Sequence, residues 1–106
     1  MTTAPVKNKA EILSFLGRES ARLRTFGVKR IGLFGSFVDN KQNELSDIYI
    51  LVEFEQGLKS FDNFMNLLFF LEDALGRPVD LITLESLSPY LGPHILKETE
   101  YVPLAA

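Results

Sequence analysis

The hydrophobic period of this chain switches repeatedly between helical and extended spacing, and that succession limits the fold more than any other feature. Asn8 followed by Glu11 reads as a capping pair, and Ile12, Phe15, Leu16 and Leu23 then recur at helical spacing until Gly27 stops the run. Val28 to Phe34 is short and apolar and ends at Gly35-Ser36, the pattern of a strand feeding a tight turn. The polar stretch Asp39 to Ser46 is then a connection with a short helical turn at its start. It leads to a strand over Asp47 to Phe54, where Ile48, Ile50, Val52 and Phe54 share the buried face. Ser60 caps a second helix whose stripe is Phe61, Phe64, Met65, Leu68, Leu71 and Leu75, with Gly76 as its stop. Val79 to Thr83 reads as a third strand. Ser88-Pro89 opens a weaker helical segment, interrupted at Gly92-Pro93 and resuming through His94 to Glu98; the tail from Tyr101 adds a short extended piece. The expected fold is α/β (α+β), a small mixed β-sheet flanked by helices.

Composition narrows the chemistry. The 106 residues read as a single domain, 1–106, with 46% hydrophobic and 24% charged residues, enough for one core. There is no Cys and one His, so disulfides, thiol nucleophiles and ordinary structural zinc are excluded, and any metal must be held by carboxylates. Met1 to Ala10 lacks a signal-peptide apolar stretch and Leu67 to Leu71 is too short to span a bilayer, so the expected address is cytoplasmic, with no membrane partner. Residues 1 to 41 hold eight bases and three acids, residues 42 to 106 three bases and eleven acids. That asymmetry can guide an anionic ligand or a partner toward the basic side or simply mark a solvated basic helix, and the net charge of -3 is wrong for a dedicated nucleic-acid binder.

Chemistry-bearing residues cluster at strand ends. A Gly35-Ser36 turn exposes backbone N–H groups, lets a phosphate approach a residue without Cβ, and adds a hydroxyl. If Asp47 and Asp80, at the starts of the second and third strands, converge on it, their carboxylates would hold Mg²⁺; taken alone, a Gly-Ser pair after a strand reads as just a turn. Glu53 has the strand parity of Asp47 but stands six residues away, about 20 Å along an extended strand, and reads as a surface acid. His94 has no evident acid or nucleophile partner and reads as a solvated side chain.

The ordered segments FGVKRIGLFGSF, ELSDIYILVEF and GRPVDLITLESL, spanning about Phe26 to Tyr101, resemble the minimal nucleotidyltransferases, single-domain relatives of the DNA polymerase β superfamily. The resemblance implies a nucleotidyltransferase-like mixed sheet in which Gly35 and Ser36 contact the triphosphate of ATP. It also implies catalytic, metal-binding carboxylates at Asp47 and Asp80, the first and third of three Asp residues that hold two divalent ions. Many family members act as antitoxins toward a helical HEPN-type toxin, some by transferring AMP from ATP to a tyrosine of that toxin.

Two positions depart from that pattern. The family reads Ser-Asp-Ile-Asp where this chain has Ser46-Asp47-Ile48-Tyr49, so a neutral phenol replaces the second metal-binding carboxylate. Strand parity places residues 47 and 49 on one face, which is how an Asp-x-Asp pair chelates, so Mg²⁺ is expected to bind weakly or not at all. After the turn, Asp39-Asn40 stands where the family has Arg-Gly, and Asp39 is not expected to replace the missing ligand. Two functions stay open: an AMP-transferring antitoxin, or a catalytically degenerate antitoxin that occludes a HEPN-type partner. The apolar excess at Leu67 to Leu71 adds the expectation of a buried helix surface in an oligomer.

Overall fold

The computed structural model describes residues 5–104. The elements run α1 (Lys9–Arg18), α2 (Ser20–Thr25), β1 (Val28–Phe34), β2 (Ile48–Phe54), α3 (Phe61–Leu75), β3 (Val79–Thr83), a 3₁₀ turn (Leu84–Ser86), α4 (Gly92–Glu98) and β4 (Glu100–Val102). The four strands form one sheet in the order β3-β2-β1-β4. β1 lies antiparallel to β2 and β4, whereas β2 and β3 are parallel and joined by α3, because parallel neighbours need a crossover.

Local chemistry sets the element ends. The Asn8 side chain accepts a hydrogen bond from the Glu11 N–H at 2.9 Å, and Ser60 Oγ does the same for the Asn63 N–H at 3.1 Å. Gly76 closes α3 in the left-handed conformation, with φ 70°. The first helical run is broken at Glu19, where ψ of 20° tips the chain out of helical geometry and α2 begins as a separate short helix.

The core lies between one face of the sheet and the layer of α1, α2 and α3. Ile31 and Leu33 of β1 and Ile48, Ile50 and Val52 of β2 meet Ile12, Leu16 and Leu23 of the first two helices, all fully buried. From α3 the buried line is Leu67, Leu71 and Leu75, each contributing about 1.5–3 kcal/mol through burial. The expected stripe is therefore rotated: Leu71 and Leu75 hold their places, Phe64, Met65 and Leu68 are half-buried, and Phe61 is 78% exposed. The apolar excess at Leu67 to Leu71 is largely used inside the chain. Phe70 stacks on Phe15 and Phe26 at 5.7 and 5.5 Å, under the Arg22 guanidinium at 5.2 Å, and Phe69 alone of that run is exposed.

The last helix also differs from expectation. Gly92-Pro93 begins α4 rather than interrupting it, since Pro at the first helical turn lacks only an N–H that no helix uses there. Ser88 Oγ instead accepts from the Leu91 N–H at 2.9 Å, within the turn that precedes it. The Tyr101 tail pairs with β1 as β4. Lys59, 3.1 Å from Glu85, holds that carboxyl below its usual range by hydrogen bonding. Among the described residues no helix is long and apolar enough to cross a membrane.

Candidate functional site

The sheet brings most of the expected site residues to one end of the face opposite the helical layer. In register, Phe34 faces Tyr49 across β1 and β2, and Tyr49 in turn faces Asp80 across β2 and β3. Paired residues project to the same face, so Tyr49 stands between the end of β1 and Asp80. Asp47 precedes β2 by one residue and continues the parity of Tyr49. Asp47 and Asp80 are both exposed and Tyr49 is half-buried.

Gly35 carries the turn. Its φ of 89° lies in the region that favours glycine, and a Cβ built on it would fall 2.9 Å from Tyr49 Cδ2. The bare Cα is therefore covered by the Tyr49 ring, which also packs on Phe34 with centroids 5.7 Å apart. The Gly35 carbonyl accepts from the Val38 N–H at 3.0 Å and the Ser36 carbonyl from the Lys41 N–H at 2.9 Å. These bonds make residues 36–40 a run of turns, with no helix formed there. Asn40 has φ 57°, which explains the residue chemistry at this position: where the resemblance expects Gly, the chain uses Asn, a side chain that tolerates the left-handed region.

A pair of divalent ions needs carboxylates that converge and oxygens enough for each ion. Tyr49 supplies a phenol at the central position. Among the described residues no group of three His, Cys, Asp or Glu side chains is placed to hold a metal ion. The residues present do not fit a two-metal centre. Glu53 is engaged elsewhere, 3.4 Å from Arg30 and 3.9 Å from Lys29, and His94 is exposed on α4.

Arg77 was not foreseen from sequence. Its Nε donates to the Val6 carbonyl at 2.7 Å, and its Nη1 donates to the carbonyls of Asn43, Glu44 and Ser46 at 2.9, 3.2 and 3.0 Å. A basic residue just after a helix normally reads as a favourable charge at the C-terminal dipole. Its acceptors here lie 31 or more positions away in sequence, so no local pattern marks them. Arg77 also lines a cleft of about 580 Å³ with Pro5, Lys7, Gln42, Asn43 and Glu44, none of them a residue singled out from sequence for phosphate or metal.

Comparison with known proteins bears on the family and the fold. Residues 21–103 match the family model described as Polymerase beta, Nucleotidyltransferase. The protein adenylyltransferase MntA of Thermococcus cleftensis is 42% identical over 93 residues, covering 87% of this chain and 93% of the relative. A crystal structure of a toxin-antitoxin with AMP-PNP contains a chain that superposes with a TM-score of 0.67 at 26% identity, over 84% of this chain and 73% of that one. The fold is shared, at 23% identity and a TM-score of 0.61 over 88% of this chain and 73% of the other, with a Shewanella oneidensis complex of a tri-AMPylated HEPN toxin and an MNT antitoxin. With the matched residues running from α2 to β4, this chain belongs to the polymerase β-type nucleotidyltransferase family.

Proposed function

We propose that this chain is an antitoxin of the minimal nucleotidyltransferase type that neutralises a HEPN-type, all-helical toxin by binding it, without transferring AMP from ATP. One observation carries the reading: the Tyr49 ring covers Gly35 and takes the place between Phe34 and Asp80 where the family resemblance requires a carboxylate. The phenol fails twice, as a poor ligand for a hard cation and as a bulky group on the glycine that a phosphate has to approach. Asp39 adds a negative charge to the turn after Ser36. The family membership and the similarity to an adenylyltransferase and to a toxin–antitoxin chain support the partner class.

The test separates binding from chemistry. The partner is sought as the product of the adjacent gene, expected to be a small helical protein with an Arg-x4-6-His motif. Co-expressed with it, the unmodified chain and an Asp47→Ala/Asp80→Ala variant are expected to rescue growth equally and to co-purify with the toxin equally. A double variant that still binds but no longer rescues contradicts the proposal, because carboxylate chemistry is then needed for neutralisation.

A further inference from the structure

Both halves of the candidate site are carried by one connection, residues 35–47, which contains the Gly35-Ser36 turn at one end and Asp47 at the other. This thirteen-residue connection has no helix or strand; its first half is fixed by turn hydrogen bonds and by the buried Phe37 ring. In its second half the internal hydrogen bonds are local: the Asn43 N–H to Ser46 Oγ, the Leu45 N–H to Asn43 Oδ1 and the Ser46 N–H to the Asn43 carbonyl. They shape the turn before Asp47 without attaching it to the sheet.

Arg77 makes that attachment. Its Nη1 gathers the carbonyls of Asn43, Glu44 and Ser46, and its guanidinium lies 5.1 Å from the centre of the Phe37 ring, which is 1% exposed. Phe37 follows Ser36 and Ser46 precedes Asp47, so one planar group grips the connection next to each end. Arg77 stands three residues before Asp80, and the neighbouring Pro78 carbonyl accepts from the Ile48 N–H at 3.0 Å. We infer that Arg77 is the positioning residue of the candidate site, holding Ser36 and Asp47 in register with Asp80 through a single guanidinium. The inference rests on the reading of that site given above. The geometry requires Arg: a lysine ammonium keeps the charge but cannot donate through a fixed fork to Val6 and Ser46 while lying over the Phe37 ring.

Amide exchange on the full chain tests it with Arg77→Lys and Arg77→Met. Loss of the charged hydrogen bonds is expected to speed exchange about tenfold at Asn43, Leu45 and Ser46 in both variants, with the central amides of β1 and β2 unchanged. Lysine is not expected to rescue, which separates fork geometry from charge. A second readout uses the Tyr49→Asp background, where Arg77→Lys is expected to lower the turnover number for AMP transfer about tenfold at an unchanged melting midpoint. Unchanged exchange at residues 43–46, or exchange raised evenly through β1 and β2, overturns the positioning role. Absence of any transfer in Tyr49→Asp points to a further block in the site, which Asp39→Arg tests, and the exchange pattern then decides the role of Arg77 by itself.

Discussion

Tyr49→Asp is expected to raise AMP transfer from ATP to a HEPN-type partner by at least about a hundredfold over the unmodified chain, the scale on which one preorganised electrostatic group acts in an active site. The change does two things at one position. It removes the ring that lies against the Gly35 Cα, and it places a second carboxylate beside Asp47 on the same strand face. Labelled ATP with Mg²⁺ or Mn²⁺ and the purified partner provides the measurement. An inert Tyr49→Asp that becomes active only when combined with Asp39→Arg would place the remaining block on the turn after Ser36. Continued inertness of both would show that more of the site has been lost than these two positions.

The largest expected stability effect belongs to Gly32→Val. From propensity alone, a valine in the middle of a strand is an improvement over glycine. The structure reverses that sign. Gly32 pairs with Leu51 on one side and Tyr101 on the other, and a Cβ built there would collide with the Thr99 side-chain methyl. It would also lie 3.0 Å from Tyr101 Cδ1 and 3.1 Å from the Glu100 carbonyl. The glycine is what lets β4 close over β1. Overpacking at this point is expected to destabilise the fold by about 3 kcal/mol, the upper end of the usual range. For a domain of this size that corresponds to a fall of roughly 12–24 °C in the melting midpoint. A thermal or denaturant melt checks it, and a midpoint within about 2 °C of the unmodified chain, below what 1 kcal/mol produces, would show that β4 gives way freely.

Where a residue's neighbours in sequence decided its role, that role was readable in advance. β1 and β3 run over Val28–Phe34 and Val79–Thr83, the bounds expected from short apolar runs between glycine, proline and polar punctuation. The caps at Asn8, Ser60 and Gly76 also follow from local chemistry. The phase of α3 does not. With apolar residues on nearly every side between Phe61 and Leu75, helical spacing fits more than one stripe, and packing against the sheet, β3 above all, selects Leu67, Leu71 and Leu75. The exposed ring of Phe61 is the consequence.

The site divides in the same way. Strand parity brought Asp47 and Tyr49 together on paper, but parity says nothing of what lies on the next strand. Register supplies that, pairing Tyr49 with Phe34 and Asp80. The contact of the Tyr49 ring with Gly35 was equally out of reach, because it depends on the turn geometry after β1 as well as on the strand pairing. Arg77 is the extreme case, a residue whose hydrogen-bond acceptors all lie remote in the chain.

On the function proposed above, this chain keeps the nucleotidyltransferase scaffold while Tyr49 closes its phosphate turn. The most direct measurement incubates the unmodified chain with its cognate toxin, labelled ATP and Mg²⁺ or Mn²⁺, and follows label on the toxin alongside loss of toxin activity. The expected result is neutralisation at stoichiometric binding with no label transferred; robust labelling of the toxin by the unmodified chain would contradict the account.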